Sequence, residues 1–88
     1  MSIKKNVLTI RGSDFRKYFA TSFGVHHTKR FTFLDIGNEK TKLPDGKEAN
    51  VSDCQLIMDF QALKALKDLL DFEFKEIEKK YGKIKEDD

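Results

Sequence analysis

The chain has 88 residues, enough for one small domain and too few for two. With 39% hydrophobic and 36% charged residues and a single proline, it has the composition of a folded domain, and a net charge of +2 does not by itself demand a nucleic-acid or membrane partner. A lone cysteine, Cys54, has no partner for an internal disulfide, and no window approaches the roughly 18 apolar residues of a membrane span.

The start, Met1-Ser2-Ile3-Lys4-Lys5, lacks the apolar run of a secretory signal, which makes the cytoplasm the expected compartment. Charge is unevenly spread. Residues 1–34 carry +6, residues 35–63 carry −3 and residues 64–88 carry −1.

Val7, Leu8, Thr9, Ile10 and Arg11 form a short β-prone run that stops at Gly12-Ser13, the pattern of a strand and a turn. A second strand is expected over about 17–25, where Phe19, Thr21, Phe23 and Val25 alternate with smaller residues. The polar stretch 26–29, with His26 and His27, then reads as a hairpin loop, and residues 30–36 as the returning antiparallel strand. Residues 37–50 have almost no apolar content and contain Pro44-Asp45-Gly46, a turn signal, so they are expected to be a mobile loop. An extended pattern resumes at Val51 and runs to Met58, with Cys54, Leu56 and Met58 on one side.

Residues 60–81 read as one long helix. Asp59 is placed to cap its start, Lys79 and Lys80 sit in the last turn, and Gly82 is placed to end it. Leu63, Leu66, Leu70, Phe74, Ile77 and Tyr81 recur at three- or four-residue spacing, the stripe expected to pack on the sheet. Ala65, Leu69 and Phe72 fall outside that stripe, on the flank and back of the helix, and are expected to form a homodimer interface. Residues 83–88 read as a charged tail. The expected fold is therefore α+β: an antiparallel sheet of three to four strands packed against one long C-terminal helix, in a single domain spanning 1–88.

Chemistry-bearing residues are sparse. Adjacent His26 and His27 would point to opposite faces of an extended segment, which prevents joint chelation of one metal. Cys54 has no CxxC mate, and Asp35, Asp53 and Asp59 each have a structural task. The glycines are isolated, so no phosphate-cradling loop exists. No catalytic residue, cofactor or metal site is expected, and the chain is read as a non-enzymatic homodimeric assembly or adaptor module, with a different protein partner as a further option. The alternative is a small nucleic-acid-binding protein. In that reading Arg11, Arg16, Lys17, His26, His27, Lys29 and Arg30, interleaved with aromatics, would neutralise phosphates while the rings stack on bases.

The segments containing Phe19-Ala20-Thr21-Ser22-Phe23, Phe31-Thr32-Phe33-Leu34-Asp35 and Glu78-Lys79-Lys80-Tyr81-Gly82-Lys83-Ile84 resemble a family of short bacterial and archaeal proteins known only as a domain of unknown function. The resemblance spans about residues 15–84 and departs around Leu43-Pro44-Asp45-Gly46. It implies a strand-rich hairpin followed by a helix ending in an aromatic and Gly, and it brings no activity with it.

Overall fold

Phe31–Gly37 is the middle strand of a three-stranded antiparallel sheet, in a computed structural model that describes residues 8–85. In chain order the elements are β1 (Ser22–His27), β2 (Phe31–Gly37), β3 (Glu39–Lys42), β4 (Glu48–Val51), β5 (Cys54–Asp59) and α1 (Phe60–Tyr81). The main sheet runs β1-β2-β5, and β3 and β4 form a separate antiparallel pair inserted between β2 and β5. The architecture is the expected α+β.

Three local expectations change. The strand expected over 17–25 begins only at Ser22, because β2 ends at Gly37, the residue opposite Ser22, and leaves the aromatics before it without a partner strand. His26 and His27 belong to β1 and not to the loop. The turn falls at residues 28–30, where Thr28 Oγ1 accepts the backbone N–H groups of Arg30 and Phe31, each at 3.3 Å, a side-chain substitute for a backbone turn. Of the strand expected over 7–11, Val7 lies outside the described residues and residues 8–11 belong to no strand.

Residues 37–50, expected as a loop, contain a hairpin. The turn signal was real: Gly46 donates to the Leu43 carbonyl at 2.9 Å with φ of 89°, and Asp45 Oδ1 accepts from the Lys47 N–H at 3.0 Å. Lys42 then faces Glu48 across the pair. β3, Glu39-Lys40-Thr41-Lys42, has no apolar alternation to reveal it, and β4 has only Ala49 and Val51, too short a pattern to mark a strand by itself.

Helix α1 begins with no linker after β5. Asp59 has extended geometry (φ −74°, ψ 174°), and its carboxylate accepts the Ala62 N–H at 2.7 Å. At the other end the Gly82 N–H donates to the Glu78 carbonyl at 2.8 Å with φ of 90°, which only glycine adopts without cost. Twenty-two residues make a helix of about 33 Å, whereas strands of six residues span about 20 Å, so α1 overhangs the sheet.

The expectation that the primary stripe is the domain's core is overturned, because the helix meets the sheet only lightly, chiefly along β5 and β2. Leu63, Leu66 and Ile77 are half-covered, but Leu70, Phe74 and Tyr81 are exposed, the last at 76%. Among the described residues no apolar side chain is buried, and Thr32 at 3% is the buried polar one. The phenylalanines in and just before the first two strands are no better covered: Phe19, Phe23 and Phe31 are exposed and Phe33 is half-covered.

Candidate functional site

Strand pairing sorts the sheet into two unlike faces. Opposite residues in antiparallel strands share a face, so Phe23, Val25, Leu34, Ile36, Cys54, Leu56 and Met58 lie together. Most of this apolar face is open: Phe23, Val25 and Leu56 are exposed, and Leu34, Ile36, Cys54 and Met58 only half-covered. Free Cys54 sits among these side chains as a small apolar residue.

The second face carries Ser22, Gly24, His26, Asp35, Gly37 and Gln55 together with the apolar Phe31, Phe33 and Ile57, of which Phe31 and Ile57 are exposed. His26 stacks on its cross-strand partner Phe33, with centroids 4.9 Å apart and planes 12° from parallel. Asp35, which was expected merely to end a strand, lies within β2 and accepts from Ser52 Oγ at 2.8 Å and Gln55 Nε2 at 3.1 Å. Near this cluster β4 crosses Gly37 so closely that a Cβ there would collide with the Val51 carbonyl. The resulting cleft, lined by Ser22, Gly24, Asp35, Gly37, Asn50 and Val51, has a volume of ≈ 190 Å³. Small-molecule sites start at about 300 Å³. Ser22 Oγ is buried beside it with no hydrogen-bond partner among the described residues.

The expected interface residues are where a partner would find them. Ala65 is exposed on α1, and Leu69 and Phe72 are each about half-exposed. Leu70, Phe74 and Tyr81 extend that surface round the helix, so the two stripes are not divided into a covered and an uncovered one. Helix length against strand length was the sign, legible in the sequence, that one stripe could not be fully covered.

On the polar side of α1, Lys64 bridges Asp68 at 2.8 Å and Lys67 bridges Asp71 at 2.9 Å. The hydrogen bond from Lys64 holds the Asp68 carboxyl below the usual carboxylate range. The hydrogen bond and charge of Asp71 raise the Lys67 ammonium above its usual value. With lysine N-terminal to aspartate, both pairs run in the weaker orientation relative to the helix dipole.

The basic residues named for nucleic-acid contact fall into two groups. Arg11, Arg16 and Lys17 precede β1, while His26, His27, Lys29 and Arg30 lie at its far end, separated by the strand's length of about 20 Å. Arg11 is spread over the Phe15 ring at 4.3 Å, and Arg16 donates to the Phe15 carbonyl at 3.1 Å.

Among the described residues no three His, Cys, Asp or Glu side chains gather as metal ligands, and no helix is long and apolar enough to cross a membrane. No family model matches the sequence, and neither the curated proteins nor the solved structures contain a match to it.

Proposed function

We propose that this chain is one half of a homodimer and serves as a non-enzymatic assembly or adaptor module, its fold completed only when two copies meet. The observation that carries this reading is the set of eighteen exposed large hydrophobic side chains in a chain whose described residues bury no apolar side chain at all. Single exposed apolar residues need no explanation, but eighteen of them in a chain whose described residues bury no apolar side chain do.

Surface area gives the scale. A globular protein of 10.2 kDa exposes about 5,300 Å² by the scaling of surface with mass, and this chain exposes 8,528 Å². The ten terminal residues outside the described span account for at most about 1,700 Å² of the surplus, even at the value of a wholly solvated chain. About 1,500 Å² per copy is left, or about 3,000 Å² for a pair, inside the range of obligate dimers. The radius of gyration agrees: 16.1 Å against about 12 Å for a compact chain of this length. A second copy is the simplest cover, because closed twofold pairs are the commonest assemblies.

Sedimentation equilibrium at micromolar concentration tests the reading. The expected mass is twice the 10.2 kDa of the chain. The urea midpoint is also expected to rise with protein concentration, as it must when folding and association are linked. A monomer whose midpoint ignores concentration would end the proposal.

A further inference from the structure

Residues 8–20 form an arm that the protomer does not use. Leu8 and Ile10 are 93% and 89% exposed, and Phe19 is 78% exposed. Among the described residues, the single backbone hydrogen bond within this arm is from the Phe15 N–H to the Gly12 carbonyl at 3.2 Å. The arm leaves the sheet at Thr21, whose N–H donates to the Gly37 carbonyl at 2.9 Å and whose hydroxyl donates to Asn38 Oδ1 at 2.7 Å. Yet Leu8, Thr9, Ile10 and Arg11 are strand-formers that end at Gly12. They make a strand without a sheet.

The sheet, in turn, has an edge without a strand. In the order β1-β2-β5 the outer side of β5 pairs with no strand among the described residues. Its run Cys54-Gln55-Leu56-Ile57-Met58 contains no lysine, arginine or proline, the residues with which exposed edges are usually guarded. The edge of β1 is less open, since β4 lies against that strand.

Resting on the homodimer reading, we infer that the two copies exchange arms, residues 8–11 of each adding as a fourth strand to the outer edge of the other's β5. The exchange satisfies the backbone of both segments. It sets Leu8 and Ile10 beside the alternating side chains of β5, and it repeats by the twofold so that each copy gives one strand and receives one. The same chain has the reach to close on itself, about 33 Å over the ten residues from Arg11 to Thr21 against about 14 Å of sheet breadth. The protomer nevertheless pairs residues 8–11 with no strand among the described residues.

The experiment uses the full chain. A sample mixed from ¹³C-labelled and unlabelled copies is examined by isotope-filtered NOE spectroscopy, and the dimer Kd of wild type and Thr9→Pro is measured by sedimentation. Thr9 is exposed and makes no backbone hydrogen bond among the described residues, so proline there breaks none of those bonds in the protomer, while it removes an N–H and fixes φ in a trans strand. Intermolecular NOEs from Leu8 or Ile10 to β5, with a Kd raised at least tenfold in Thr9→Pro and unchanged in Thr9→Val, are the expected results. A dimer lacking these NOEs, or showing them only within one copy, or indifferent to Thr9→Pro, overturns arm exchange and leaves the homodimer standing. A monomer overturns both.

Discussion

The two sheets of this small protein are both exposed, and they are exposed in opposite ways. The β3–β4 pair carries Glu39, Lys40, Lys42 and Glu48 on strands of four residues, so its edges are short and charged and water is an adequate neighbour. The β1-β2-β5 sheet presents Phe23, Val25 and Leu56 on its open face and an uncharged run along its β5 edge. Exposure alone therefore says little about partners. What distinguishes the sheets is whether solvent can satisfy what is exposed, charged side chains on the hairpin and apolar ones on the larger sheet.

The strongest way to break this contrast is to charge the apolar side. Phe72→Glu is expected to raise the dimer Kd at least a hundredfold in sedimentation. Thr41→Glu, on the charged hairpin, is expected to leave it unchanged, and equal effects at both positions would abolish the distinction. Next in size is Gly37→Ala at the seam between the sheets. Its methyl would displace the Val51 carbonyl, and a loss of about 2–3 kcal/mol is expected from urea unfolding. Asp59→Ala removes the helix cap and is expected to cost about 1 kcal/mol by the same measurement, with Asp59→Ser restoring most of it.

The smallest effect concerns pH and the polar side of α1. The Asp68 carboxyl lies below its ordinary 3.8 when folded, so its contribution is present above pH 3.8 and is lost as pH falls through the lowered value. Lys67 is raised above 10.5, so its contribution is present below 10.5 and lost as pH rises beyond its raised value. NMR titration should place the Asp68 midpoint below 3.8, and Lys64→Met should return it upward. Because water screens both pairs, little change in the unfolding midpoint is expected between these limits.

What could be read from the sequence was what local chemistry decides. Asp59, the three- and four-residue spacing of Leu63 through Tyr81, and Gly82 bounded the helix because caps and periodicity are properties of neighbouring residues. Pro44-Asp45-Gly46 located its turn for the same reason. The strands on either side are not legible in the same way: Glu39-Lys40-Thr41-Lys42 has no apolar face to alternate, and in Glu48-Ala49-Asn50-Val51 the alternation is only two apolar residues long. The start of β1 was misplaced because a strand ends where its partner ends, and that partner, Gly37, is fifteen residues beyond Ser22. The surface on Leu69 and Phe72 was legible from helical phase. A helix longer than the strands signals that part of the primary stripe stays open, but that Leu70, Phe74 and Tyr81 are its exposed members depends on tertiary contacts of the helix.

Asp59 closes one element and opens the next, so β5 and α1 are joined as a single stiff lever. Inserting one residue at that joint would turn the whole helix by about 100° relative to the sheet, carrying both apolar stripes to a new bearing without altering either of them. Any load a partner places on Phe72 or Tyr81 is accordingly delivered to β5, and through its hydrogen bonds to β2. In such a molecule the far end of the helix works as a handle on the sheet.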